Sequence, residues 1–243
     1  MSRQENRKRT YVLVAGAFHG AWCWYKVIPL LEKAGQTVIA LDLPATGKDQ
    51  SPVTDASLEG WANFVCQILD QQREPVVLVG HSRGGAVISQ AAEYCPEKVE
   101  ILVFVAGALL YPGDSIISNR AQGVSPVHSN VILSDDLQTA QMRQELIREQ
   151  FYEDCSDEDV CLARLLLRPE PIGPLQTPVA LTVERFGRLP KIYIATTKDK
   201  GLLPEVQERM YTATPCQRLI RMDTGHSPFF AAPEELARHL LSV

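Results

Sequence analysis

The chain has 243 residues, 45% of them hydrophobic and 22% charged, with a formal net charge of −5. That length accommodates one large α/β domain with a sizeable core. The acidic balance and the lack of a basic stripe exclude a nucleic-acid-binding surface, and no run approaches the roughly 18 apolar residues of a membrane span. Residues 1–10 hold four basic side chains between positions 3 and 9 and read as a flexible, solvated tail. That basic start followed by Tyr11-Val12-Leu13-Val14-Ala15-Gly16-Ala17 imitates a secretory leader. The apolar run before Ala15 is shorter than the required core of about seven residues, and cleavage there would remove the first strand.

In chain order, short apolar strands alternate with helical segments. A strand over residues 11–14 precedes a helix over 25–33. A strand at 37–41, a helix at 57–71, a strand at 76–79, a further helix and a strand at 101–105 follow. This alternation predicts a mostly parallel sheet with helices on both faces. It breaks over residues 111–177, where no strong strand signal is present. Segments 137–151 and 157–167 look helical there, with Ser156 as a cap before an acidic first turn. Pro169, Pro171, Pro174 and Pro178 close the segment. The expectation is a helical cap inserted at 111–177, over the carboxyl end of the sheet where α/β folds bind ligands. The core pattern resumes with strands at 191–196 and 218–222 and ends in an amphipathic C-terminal helix.

Gly80-His81-Ser82-Arg83-Gly84 fits G-x-S-x-G and sits where the 76–79 strand gives way to a helix. Such a turn strains the serine backbone, lifts its hydroxyl clear of the sheet and sets it over a helix N-terminus. A serine nucleophile needs a base, and the base needs an orienting carboxylate. Of the five histidines, His81 adjoins the serine, His239 lies on a helix face, His128 falls in the cap and His19 belongs to the N-terminal loop. His226 follows the last strand and has the right chain order. The acid belongs between serine and histidine, after a late strand, which selects Asp199. Asp114, after the 101–105 strand, and Asp223, three residues from His226, are its rivals. The oxyanion donors are the backbone amides of Arg83, next to the nucleophile, and Ala17, in the small-residue loop after the first strand.

The six cysteines, Cys23, Cys66, Cys95, Cys155, Cys161 and Cys216, show neither paired nor metal-ligand spacing. They read as reduced thiols of a cytoplasmic protein. No metal or organic cofactor is required, and no sequence feature sets the oligomeric state.

With these residues in view, the chain resembles the α/β-hydrolase superfamily nearly end to end. Within it the chain looks like the plant methylesterase and hydroxynitrile lyase group and its bacterial esterase relatives, some of which hydrolyse pyrethroid-type esters. The resemblance is carried by Gly16-Ala17-Phe18-His19-Gly20-Ala21-Trp22, Val27-Ile28-Pro29-Leu30-Leu31-Glu32 and Ala40-Leu41-Asp42-Leu43-Pro44. Gly80-His81-Ser82-Arg83-Gly84-Gly85, Lys198-Asp199 with Leu203-Pro204-Glu205, and Gly225-His226 complete it. The resemblance implies an α/β-hydrolase fold and places the acid five residues before Pro204, at Asp199. Lyases of the group carry a lysine after the histidine and a threonine in the oxyanion loop; this chain has Ser227 and Gly16, which favours ester hydrolysis. The expected activity is a serine carboxylic-ester hydrolase acting on a small hydrophobic or aromatic ester, with Phe18, Trp22, Leu109 and Phe229 as candidate substrate contacts. The alternatives are carbon–carbon lysis of a cyanohydrin and a small-molecule receptor with slow hydrolysis.

Overall fold

The computed structural model describes residues 7–121 and 130–243. The chain enters through β1 (Thr10–Val14), α1 (Val27–Lys33), β2 (Thr37–Leu41), α2 (Leu58–Asp70), β3 (Val76–His81), α3 (Gly84–Tyr94) and β4 (Val99–Val105). An insertion follows, built from α4 (Ile116–Ala121), β5 (Val131–Leu133), β6 (Thr139–Met142), α5 (Ile147–Phe151), α6 (Asp157–Leu166), β7 (Glu170–Pro171) and α7 (Gly173–Gln176). It returns through β8 (Lys191–Thr196), α8 (Pro204–Ala213), β9 (Arg218–Met222), α9 (Pro228–Ala231) and α10 (Pro233–Leu241). The main sheet has six parallel strands in the order β2-β1-β3-β4-β8-β9. This is the parallel sheet with helices on both faces that the alternation of apolar runs and helices predicts, and the fold that the resemblance implies.

The strands alternate their side chains between two apolar cores, as a pleated strand must. Val12, Val14, Leu78, Leu102 and Phe104 join α2, α3 and α8 on one face. Tyr11, Leu13, Val77, Val79, Val103 and Val105 join α1 and α10 on the other. Because both faces are covered, β3 is buried along its whole length, and its sequence is a continuous apolar run. Helix α2 places Leu58, Trp61, Ala62, Val65 and Leu69 on one buried stripe, the spacing of an amphipathic helix. The Ser57 hydroxyl accepts from the Gly60 amide at 2.9 Å and caps its start.

The insertion corrects two expectations. The sequence predicts a helix over residues 137–151 and no strand in the segment. Instead β5, β6 and β7 form a three-stranded antiparallel sheet, and only Ile147–Phe151 is α-helical within that span. Turn chemistry decides the outcome. Asp136 accepts from the Ser134 hydroxyl at 2.6 Å and the Gln138 amide at 3.0 Å, and the Thr139 amide donates to Ser134 Oγ at 3.0 Å. These bonds close the β5–β6 connection, and helix-compatible residues beyond it are drawn into a strand. Helix α6 does form, with the Ser156 hydroxyl accepting from the Asp159 amide at 3.2 Å. Residues 122–129, including His128 and part of the expected cap, lie outside the described residues, as do residues 1–6 of the expected tail.

The cysteines bring a further correction. Cys66 on α2 and Cys95 at the end of α3 form a disulfide, while Cys23, Cys155, Cys161 and Cys216 are free. The two helices pack side by side, so the partners meet across a separation of 29 residues that carries no motif spacing. The cytoplasmic expectation rested on six reduced thiols, and that support is withdrawn. No helix among the described residues is long and apolar enough to cross a membrane.

Candidate active site

Ser82 follows the last residue of β3 with φ of +48°, in the left-handed region that costs a non-glycine residue energy. Its neighbours hold it there. The Ser82 amide donates to Val105 O at 3.2 Å, and its carbonyl accepts from the Gly85 and Ala108 amides at 3.0 and 2.8 Å. The turn is tight enough that a Cβ on Gly80 would lie 2.6 Å from Gly84 O, and one on Gly84 would lie 2.6 Å from Val14 O. Glycine is therefore required at both flanks. Gly16 serves similarly in the loop after β1: a Cβ there would meet Ser82 Cβ at 2.9 Å. The loop carrying Ala17 is thus pressed against the serine.

Three sheet-end loops converge at this point. His226, after β9, brings Nε2 within 3.0 Å of Ser82 Oγ, and its Nδ1 lies 2.9 and 2.8 Å from the two carboxylate oxygens of Asp199, after β8. All three side chains are buried. Asp199 Oδ1 also accepts from the Gly201 and Leu202 amides at 2.8 and 2.7 Å. Its Oδ2 accepts from Thr196 Oγ1 at 2.7 Å and Gln207 Nε2 at 3.2 Å. An ionised carboxylate can only accept. Nδ1 of His226 therefore carries the proton, and Nε2 presents its lone pair to the serine hydroxyl.

The rival acids lie elsewhere. Asp223 is exposed and pairs with Lys198 at 2.8 Å. Asp114 lies in the first turn of the insertion, where its carbonyl accepts from the Val179 amide at 2.9 Å. The other described histidines are committed to structural bonds. His19 is buried between Ala17 O at 2.7 Å and the Tyr152 hydroxyl, and burial pushes its pKa down to about 3. His81 Nε2 sits 2.8 Å from the His226 carbonyl, and burial, then the neighbouring His226, hold its pKa well below the ordinary histidine value. His239 faces Glu235 on α10 at 3.4 Å. Sequence reasoning passed over the role of His81, which ties the backbone of His226 to the serine turn.

A cavity of about 290 Å³ is lined by Ala17, Phe18 and Arg83 at one end and by Ile116, Leu133 and Leu175 of the insertion. A narrow cleft lined by Ser82, Leu110 and Met210 shares Arg83 and Ile116 with it. Of the candidate substrate contacts, Phe18 lines the larger cavity. Trp22 stacks on His19, Phe229 packs edge-on to His81 at 5.0 Å, and Leu109 is buried in the core. A more open groove of about 790 Å³ around Glu93, Pro178 and Arg185 shares no residue with this site. No cluster of three or more metal-ligating side chains is present among the described residues.

A model of the "Alpha/beta hydrolase family" matches residues 11–239. Methylesterase 2 of Arabidopsis thaliana is 33% identical over 256 residues, covering 99% of this chain and 97% of that protein. Among solved structures, tomato methylketone synthase I complexed with 2-tridecanone superposes with a TM-score of 0.89 at 27% identity, covering 97% of each chain. A pyrethroid hydrolase from Sphingobium faniae JZ-2 gives a TM-score of 0.88 at 27% identity, again over 97% of both chains.

Proposed function

The chain belongs to the alpha/beta hydrolase family, and from that premise we propose that it is a serine carboxylic-ester hydrolase working through an acyl-enzyme intermediate. One observation carries the reading: the continuous hydrogen-bond line from Asp199 through both nitrogens of His226 to Ser82 Oγ. Ser82 Oγ attacks the ester carbonyl as His226 Nε2 takes its proton. The oxyanion is met by the backbone amides of Ala17 and Arg83. His226 returns the proton to the departing alcohol, then activates water to release the acid. Asp199 holds the imidazole in the required tautomer and stabilises the imidazolium.

Residues 111–177 act as the cap, and its aliphatic side chains receive the apolar part of the ester. The cavity of about 290 Å³ favours a hydrophobic acyl group of moderate size over a bulky polar one. Similarity to esterases that differ in substrate supports ester hydrolysis without fixing the ester.

The test is turnover of chromogenic esters of graded acyl length. We expect multiple turnover, with the double variant Ser82→Ala/His226→Ala no worse than either single change, because the groups act as a unit. A Ser82→Ala enzyme with wild-type turnover would remove the proposal. Binding without turnover would favour a receptor, and release of cyanide from a cyanohydrin would favour a lyase.

A further inference from the structure

The residue after the nucleophile carries a side chain whose position the hydrolase reading leaves unused. Arg83 is fully enclosed: its Nε lies 3.0 Å from Glu170 Oε1, and both side chains are 1% exposed. Its guanidinium stacks over the Trp61 ring at 4.4 Å. A buried ion pair of this kind is weak evidence for stability, because desolvating two charges offsets much of their attraction. Its placement therefore calls for another reason.

Both members of the pair reach into the loop that holds Ala17. Arg83 Nη2 donates to Gly16 O at 2.8 Å. The Gly16 carbonyl and the Ala17 N–H belong to one planar trans peptide unit, so fixing the carbonyl on one side aims the N–H to the other. The following peptide unit is pinned as well. Ala17 O meets His19 Nδ1 at 2.7 Å, and the Phe18 amide donates to Glu170 Oε2 at 2.8 Å. Phe18 itself has φ of +68°, a conformation that persists only where its surroundings hold it. The insertion supplies the second grip, since the Arg168 amide donates to Phe18 O at 3.1 Å.

We propose that Arg83 and Glu170 are positioning residues that together orient the Ala17 amide toward the oxyanion, so that strand β7 of the insertion sets the geometry of the reacting centre. The inference rests on the hydrolase reading. Arg83 then has two separable roles: its backbone amide is one oxyanion donor, and its side chain aims the other. Glu170 pairs with Arg83 and holds the next peptide unit through the Phe18 amide. A misaimed amide weakens transition-state stabilisation and leaves ground-state binding nearly untouched.

The decisive variant is Arg83→Met/Glu170→Met, which removes both charges without leaving either one buried alone. Its kcat on a p-nitrophenyl ester should fall about 10- to 100-fold, less than the about 10²–10³-fold cost of deleting a donor outright. KM should stay within about twofold, and the thermal transition should remain cooperative. Arg83→Met/Glu170→Gln restores an acceptor for the Phe18 amide and should recover part of the kcat at the same KM. If the paired methionine variant does not fold, Glu170→Gln alone is measured for the same split. Folded variants with wild-type kcat, or a loss confined to KM, would overturn the proposal. Wild-type protein that turns over no ester would overturn the hydrolase reading and this proposal with it. Wild-type turnover shared by the variants overturns this proposal alone.

Discussion

The main sheet and the insertion between β4 and β8 divide the work of the molecule differently. The sheet is closed on both faces by helices, and its strands lie among fully buried neighbours. It delivers Ser82, Asp199 and His226 from the ends of β3, β8 and β9. The insertion is made of short strands and helices with one face in solvent; Ile132, Leu133, Leu137 and Leu165 are more than half exposed. It delivers the cavity wall and the Glu170 carboxylate. The strands that lead to Ser82 and Asp199 are buried along their whole length, whereas the insertion is lightly packed and can vary without unmaking the core. Glu170 crosses this division, because this insertion side chain bonds the Phe18 amide in the loop after β1.

The largest effect belongs to the sheet ends. Asp199→Asn should keep the fold and lower kcat by up to about 10⁴-fold, since the wrong histidine tautomer would face Ser82. Asp114→Asn, in the insertion, should cost less than about threefold, an effect of the size usual for a surface change. A reversal of these two results would move the acid from the sheet to the insertion. Steady-state kinetics on a purified pair of variants decides it.

Stability should show the same contrast. Phe104 is fully buried in β4 and stacks near Tyr193 at 6.3 Å, so Phe104→Ala should cost about 3–5 kcal/mol. Leu133, 51% exposed in β5, should lose no more than about 0.5 kcal/mol on the same truncation. Leu133→Ala should nonetheless shift the ester profile toward longer acyl groups, because Leu133 lines the cavity. Urea unfolding gives the first comparison and an ester panel the second. Equal losses at the two sites would erase the distinction between the regions.

Acid should attack the seam where the two regions meet. His19 lies between Ala17 O and the hydroxyl of Tyr152 in the insertion, and its pKa falls from 6.5 to about 3 on folding. Between those values the unfolded chain binds a proton that the folded chain does not, so stability falls as pH is lowered through that window. Each histidine of this kind contributes a slope of about 1.4 kcal/mol per pH unit, and His81 is shifted in the same direction. His19→Gln should flatten the dependence of the urea midpoint on pH between 6 and 4. An unchanged slope would place the acid sensitivity elsewhere.

What the sequence made legible follows from the same contrast. The central strands stood out because strands buried on both faces leave continuous apolar runs, as Val76-Val77-Leu78-Val79 does, whereas the edge strands β2 and β9 are only partly buried. Ser82, Asp199 and His226 could be picked because each follows a strand-like segment in a fixed chain order, and the structure brings the three together. The β5–β6 hairpin was missed because its turn bonds through Ser134 and Asp136, while Gln141, Gln144 and Glu145 carry helix-compatible chemistry. Glu170 gave no signal at all. It stands between Pro169 and Pro171, where it reads as the end of a segment, and only the fold brings it to Phe18 and Arg83. The Cys66–Cys95 bond was hidden for a related reason, since helix packing rather than spacing brings the pair together.

The central claim is that Ser82, activated by His226, is the nucleophile. Its most direct test is covalent capture by an alkyl fluorophosphonate, in which serine oxygen displaces fluoride at phosphorus, followed by peptide mass spectrometry of wild type and Ser82→Ala. A single adduct on Ser82 is expected, absent from Ser82→Ala and slowed strongly by His226→Ala. Labelling at another residue, or labelling of Ser82→Ala at the wild-type rate, would contradict it.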